Sequence, residues 1–138
     1  MNKYLLDTSV IAGYLLKRTK AIQLVSPLLE KEEAATSMVV YGEVVEYVQG
    51  HASFTDYRDN LQALLEQIYP YPLTYPILER YATLRRSLRQ PHGKGLIGDI
   101  DTLISATALE YDLTLVTIDR DFERVPHLKW QLVNLKSA

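Results

Sequence analysis

Among the 17 acidic residues of this 138-residue chain, a few stand where a carboxylate is costly or conspicuous. Asp7 directly follows the apolar run Tyr4-Leu5-Leu6. Glu43 falls between Val39 and Tyr47 on a helical wheel, inside the arc that also holds Val40, Val44 and Val48. Asp99 and Asp101 open an apolar-periodic helix, and Asp119 sits just past the β-rich run Leu113-Thr-Leu-Val-Thr117. A charged group on a core-facing arc is expensive unless it is paired or holds a metal. Oxygen donors on four separate elements, without cysteine or histidine, suit one or two hard divalent cations, Mg²⁺ or Mn²⁺ rather than zinc. Such a site activates water, clamps a phosphate and stabilises an in-line displacement.

Each acid also has a bland reading. Asp7 could be a loop acid capping the next helix, although Thr8 and Ser9 follow as better-placed caps. Glu43 could sit at the mouth of the core and reach water, and Glu46 lies at the edge of the arc. Asp99 and Asp101 are two apart, so a helix sends them in different directions. Asp99 stands in the N-cap position, and Asp101 lies beside Ile104 on the buried side. Chemistry is therefore assigned to Asp101, and capping or accessory ligation to Asp99. By the same logic Asp119 is the candidate, and Asp121 pairs with Arg124. His51, His92 and His127 lack metal-ligand spacing and read as surface residues.

The elements that must carry these acids alternate. Lys3–Asp7 predicts a strand, followed by a helix over Val10–Leu16 and a second over Lys20–Lys31 that Pro27 would kink or shorten. Ala34–Ser37 predicts a strand, and Ser37 caps a helix over Met38–Gln49 that Gly50 stops. A helix follows over Phe54–Ile68, with Leu61, Leu64, Leu65 and Ile68 as its stripe. Two prolines make Tyr69–Thr74 an edge strand or an extended link. Pro76 starts a helix through Arg89 with Ile77, Tyr81, Leu84 and Leu88 inward, and Pro91–Gly95 forms a flexible loop. Ile100, Leu103, Ile104, Thr107, Ala108 and Tyr111 trace one helix face, and Lys129–Asn134 alternates as a last edge strand. Strands alternating with helices predict a mostly parallel sheet of about five short strands with helices on both faces. Ligands of such sheets bind beyond the carboxyl ends of the strands, where Asp7 and Asp119 stand.

Length predicts one domain over residues 1–138, large enough for a real core. The absence of cysteine excludes disulfides and thiolate metal sites, and a reducing, cytoplasmic setting is expected. No segment is apolar enough for a signal peptide or a membrane span. The net charge is −2; with Asp7, Glu43, Asp99, Asp101 and Asp119 set aside, 15 basic residues face 12 acidic ones, a net of +3. A mildly basic surface around an acidic hole suits a polyanion held through metal. Arg85, Arg86 and Arg89, largely off the apolar stripe, and Lys94 in the neighbouring loop are candidate RNA contacts, with a solvated helix face as the alternative. Lys17, Arg18 and Lys20 are ambiguous in the same way.

With these motifs in order, the chain resembles the PIN-domain family, and within it the VapC-like toxins of type II toxin–antitoxin modules. Tyr4-Leu-Leu-Asp-Thr-Ser9 is similar to the first motif and Ser37-Met-Val-Val-Tyr-Gly-Glu43 to the second. Ile97–Ala108 is similar to the third, and Leu115–Pro126, running on through Leu128, to the fourth. The resemblance implies a three-layer α/β/α fold and a Mg²⁺-dependent endoribonuclease, with Mn²⁺ as substitute, held silent by a cognate antitoxin. It places the catalytic, metal-holding acids on Asp7, Glu43, Asp101 and Asp119. The run Ile104-Ser-Ala106 selects Asp101 over Asp99, although Ser105 replaces a usual alanine. Many relatives carry Asn where Asp119 stands, which leaves water positioning open for that residue. Ser9 matches a small hydroxyl residue near the metal, and a homodimer is implied.

Three other readings compete. One is a PIN nuclease of RNA processing without an antitoxin. The second is a non-catalytic RNA- or protein-binding PIN domain, which the full set of four acids disfavours. The third, an aspartyl-phosphate domain, lacks the second Asp it would need two residues beyond Asp7.

Overall fold

A computed structural model describes residues 1–136, so the last two residues of the expected 1–138 domain lie outside the description. Five strands form one sheet: β1 (Tyr4–Leu6), β2 (Ala34–Ser37), β3 (Tyr69–Tyr71), β4 (Thr114–Thr117) and β5 (Trp130–Leu132). Every neighbouring pair is parallel, in the order β3-β2-β1-β4-β5. Parallel strands need helical crossovers, and six helices supply them: α1 (Thr8–Leu15), α2 (Thr19–Glu30), α3 (Met38–Gln49), α4 (Phe54–Leu64), α5 (Tyr75–Leu88) and α6 (Asp99–Glu110). The result is the expected α/β/α architecture. Leu5, Leu6, Ala35 and Leu115 are fully buried, as covered strands require. Phe122, in a 3₁₀ turn over Arg120–Arg124, is another fully buried side chain of that core. Among the described residues, no helix is long and apolar enough to cross a membrane.

Several boundaries differ from expectation, each for a local reason. Helix α1 starts at Thr8, because Asp7 itself is the N-cap and accepts the Thr8 amide. Helix α2 runs through Pro27 to Glu30. Helix α4 ends at Leu64 rather than Ile68; turns follow, and Ile68 is still buried. The Pro91–Gly95 loop is tied to the end of α5: Gly93 donates to the Arg89 carbonyl and Gly95 to that of Leu88, at 3.1 and 2.7 Å. In α6 the covered face holds Thr102, Ile104, Ser105, Ala106, Thr107 and Ala108, whereas Ile100 and Tyr111 are exposed.

Helices α1, α2 and α6 end on non-glycine residues in the left-handed region: Lys17, Glu32 and Asp112, at φ of 59°, 56° and 54°. Each end closes with a longer-range bond, from Arg18 to Gly13, Glu33 to Leu28 and Leu113 to Ala108. Two of these closures feed a strand directly, β2 after α2 and β4 after α6. Helix α5 packs along α6, and an Arg80–Glu110 ion pair at 3.1 Å joins them. That contact ties the last turn of α6 to α5.

Candidate active site

The central strand β1 delivers Asp7 to the carboxyl end of the sheet. Its side chain is only 7% exposed, and both oxygens are engaged. Oδ1 accepts the Thr8 amide at 2.8 Å, and Oδ2 accepts the Thr117 hydroxyl at 2.7 Å. The Asp7 amide donates to the Val116 carbonyl at 3.0 Å, which locks β1 to β4 at that level. Burial pushes the Asp7 carboxyl above its ordinary value, and the negative charges of Glu43 and Asp119 add to the rise. The two hydrogen bonds pull the other way without cancelling it.

Glu43 comes from α3, whose start is set by the Ser37 hydroxyl accepting the Val39 amide. The side chain is half-buried, and its Oε1 accepts the Thr8 hydroxyl at 2.5 Å. Asp119 follows β4, with its amide donating to the Thr117 hydroxyl oxygen at 3.1 Å. Its Oδ1 accepts the Asp121 amide at 2.8 Å and so caps the 3₁₀ turn. Asp121 is exposed, 3.8 Å from Arg124, as expected.

Asp101 stands in the first turn of α6 and is half-buried. Its carboxyl rises from 3.8 to about 6, first through burial and then through the charges of Asp7, Asp119, Glu43 and Asp121. Acids from β1, α3, α6 and the β4 end thus act on one another as one electrostatic unit, and among the described residues no ion pair engages Asp101. They do not form a finished cage: among the described residues, no three acidic or histidine side chains converge on one ligand point. The donor chemistry nevertheless fits a hard divalent cation, since all four groups are carboxylates sharing uncompensated negative charge.

Asp99 behaves differently from the expected cap. Gly98 is the N-cap of α6, without a side-chain bond, and Asp99 turns toward α5 instead. There it accepts the Tyr81 hydroxyl at 3.0 Å and the Arg85 guanidinium at 2.5 Å. The same bond raises the Tyr81 phenol above its usual range. Arg85 is therefore engaged, while Arg86, Arg89 and Lys94 are exposed. Ser9 is half-buried and lines a groove beside the acids with Thr8, Ala12, Tyr47 and Ile118. His92 and His127 are exposed, whereas His51 sits half-buried edge-on to Tyr47 and Tyr57.

Two residues of the arrangement escape a reading of the sequence. Thr8 looks like a helix cap, and Thr117 looks like an ordinary strand residue. The available signal was Thr117 itself, a hydroxyl in a run that otherwise should be apolar, two residues before an acid. Together Thr8 and Thr117 touch Asp7, Glu43 and the Asp119 backbone.

Comparison with known proteins agrees with this geometry. No curated protein matches the chain significantly. Among solved structures, VapBC2 of Rickettsia felis, bound to a promoter DNA fragment, is similar at TM-score 0.83 and 23% identity, covering 95% of this chain and 98% of the other. VapBC-1 of nontypeable Haemophilus influenzae is similar at TM-score 0.76 and 28% identity, covering 94% and 96%. DNA-bound VapBC of Salmonella typhimurium is similar at TM-score 0.81 and 17% identity, covering 95% and 98%. The family model for the PIN domain matches residues 4–128, from the first residue of β1 past the last of the acids, and the chain belongs to that family.

Proposed function

We propose that this protein is a divalent-metal-dependent endoribonuclease of the VapC type, acting through Asp7, Glu43, Asp101 and Asp119. The observation that carries the reading is Asp101, whose carboxyl is raised to about 6 by burial and then by the three other carboxylates of the set, with no ion pair to it among the described residues. Perturbed acids gathered at the carboxyl ends of parallel strands are where this architecture places chemistry. The likeness to VapBC structures supports the same reading.

Asp7 and Asp101 would hold Mg²⁺, or Mn²⁺ in its place, and Glu43 and Asp119 would complete the shell directly or through water. When bound, such a cation supplies an activated water and neutralises charge on the phosphate. The protein residues do the positioning. Thr117 and Thr8 fix Asp7 from both sides, and the Asp121 amide fixes one oxygen of Asp119. Exposed Arg86, Arg89 and Lys94 would contact the RNA backbone, and Arg85 would join them if its bond to Asp99 yields. A cognate antitoxin, a homodimeric assembly and a cytoplasmic setting belong to the same proposal.

The test is cleavage of an end-labelled bacterial total-RNA pool in Mg²⁺ by wild type, Asp7→Asn and Asp101→Asn. Wild type should cut, EDTA should stop it, and both variants should lose at least about a hundredfold while keeping wild-type circular dichroism. Cleavage that survives EDTA, or that is unchanged in Asp101→Asn, refutes the proposal.

A further inference from the structure

Thr8 touches two of the four acids at once. It is the first residue of α1, directly after β1, and its amide donates to Asp7 Oδ1 at 2.8 Å. Its hydroxyl reaches across to α3 and donates to Glu43 Oε1 at 2.5 Å, 35 positions along the chain. The Thr8 backbone cannot drift, because Val10 and Ile11 donate to the Asp7 carbonyl and close the first turn around it. A β-branched side chain on such a backbone has few rotamers available. Glu43, in contrast, is a half-buried side chain with three torsions and water within reach.

Among the described residues, the Thr8 hydroxyl is the one hydrogen-bond partner of the Glu43 carboxylate. Among the described residues Oε2 accepts no hydrogen bond, so all of its lone pairs are open to a cation. The pair also couples two elements: any shift of α1 at the end of β1 moves Asp7 and Glu43 together.

We propose that Thr8 is a positioning residue. Its hydroxyl selects which oxygen Glu43 offers to a divalent cation, and in which direction. The inference rests on the four-acid metal site proposed above and adds to it a residue outside the acid set. Hydrogen-bond partners of this kind orient ligands that would otherwise sample water, and their loss costs metal affinity. Valine is close to threonine in shape, so Thr8→Val deletes the hydroxyl while keeping the branched β-carbon.

The experiment is calorimetric Mn²⁺ titration of the full chain as wild type, Thr8→Val, Thr8→Ser, Glu43→Gln and the Thr8→Val/Glu43→Gln double variant, with metal-free melts in parallel. Thr8→Val should weaken Mn²⁺ binding about tenfold, and Thr8→Ser, which keeps the hydroxyl, should stay within about threefold of wild type. In the Glu43→Gln background, Thr8→Val should add less than about threefold, because the partner it positions is already disabled. A merely structural threonine would cost the same in both backgrounds, and that result overturns the inference. So does a Thr8→Val constant that equals or betters wild type. If Thr8→Val melts early, Thr8→Ala carries the same comparison. Absent binding by folded wild type would instead overturn the metal site, and this inference with it.

Discussion

Replacing Asp101 by asparagine should make the metal-free protein more stable, although it should end cleavage. The carboxyl stands raised from 3.8 to about 6, through burial and the charges of Asp7, Asp119, Glu43 and Asp121. Between those two pH values the folded state binds more protons than the unfolded state, so stability falls as pH rises through the window. Below pH 3.8 the penalty is absent, and above about 6 it is complete. At about 1.4 kcal/mol per pH unit the ceiling is about 3 kcal/mol. Asp101 is half-exposed and water screens it, so about 1–2 kcal/mol should survive. For a domain of this size that is a melting shift of roughly 3–8 °C. The assay is thermal and guanidinium unfolding of wild type and Asp101→Asn in EDTA, at pH 7.5 and at pH 4.5. The variant should lead by the full margin at pH 7.5, and most of that margin should vanish at pH 4.5. A variant no more stable at pH 7.5, or one whose gain ignores pH, would show that burial and the neighbouring acids do not raise Asp101 as their placement requires.

Other expectations follow from single contacts. Asp99 points to α5, so Asp99→Asn should keep Mn²⁺ affinity within about threefold in calorimetry, whereas Asp101→Asn should lose it. The exposed Asp99–Arg85 pair should be worth less than about 1 kcal/mol in unfolding measurements. Gly93 has no room for a side chain: a β-carbon would lie 2.0 Å from the Ser87 carbonyl oxygen and 2.6 Å from Leu88 Cα. Both obstacles are backbone, so Gly93→Ala should cost about 3 kcal/mol by guanidinium unfolding. A loss below about 1 kcal/mol would mean that the loop re-seats freely.

What could be read in advance was whatever local chemistry decides. Ser37 caps α3 because a hydroxyl before an apolar-periodic run satisfies an orphan amide. The prolines of Tyr69–Pro72 confine that segment to the sheet edge, where β3 lies. Periodicity found Ile104, Thr107 and Ala108 on the covered face of α6 but missed Thr102, Ser105 and Ala106, because contact with α5 and the sheet decides which small residues are buried. Asp99 misled for a related reason: its sequence position is that of a cap, but Tyr81 and Arg85 come from eighteen and fourteen residues away to claim it. Helix ends at Lys17, Glu32 and Asp112 carry no glycine, so the usual stop signal is missing there. The acids themselves were legible because carboxylates after strands and on apolar arcs are costly. The hydroxyls that hold them were not, since a threonine is unremarkable in a strand or at a helix start.

The sheet order has a consequence for synthesis. Strand β1 is made first, yet it lies in the middle of the sheet, between β2 and β4. Its β4 edge stays open until Thr114–Thr117 has been made, and the Thr117 hydroxyl that secures Asp7 arrives 110 residues after it. At roughly 5–20 residues per second, a growing chain spends several seconds with one edge of its central strand unpaired and an incomplete acid set. A ribosome-bound chain stopped before Asp119 therefore lacks the full set, whichever partner is present. The four acids proposed to hold a metal thus come together late, once β4 and the residues just after it have been made.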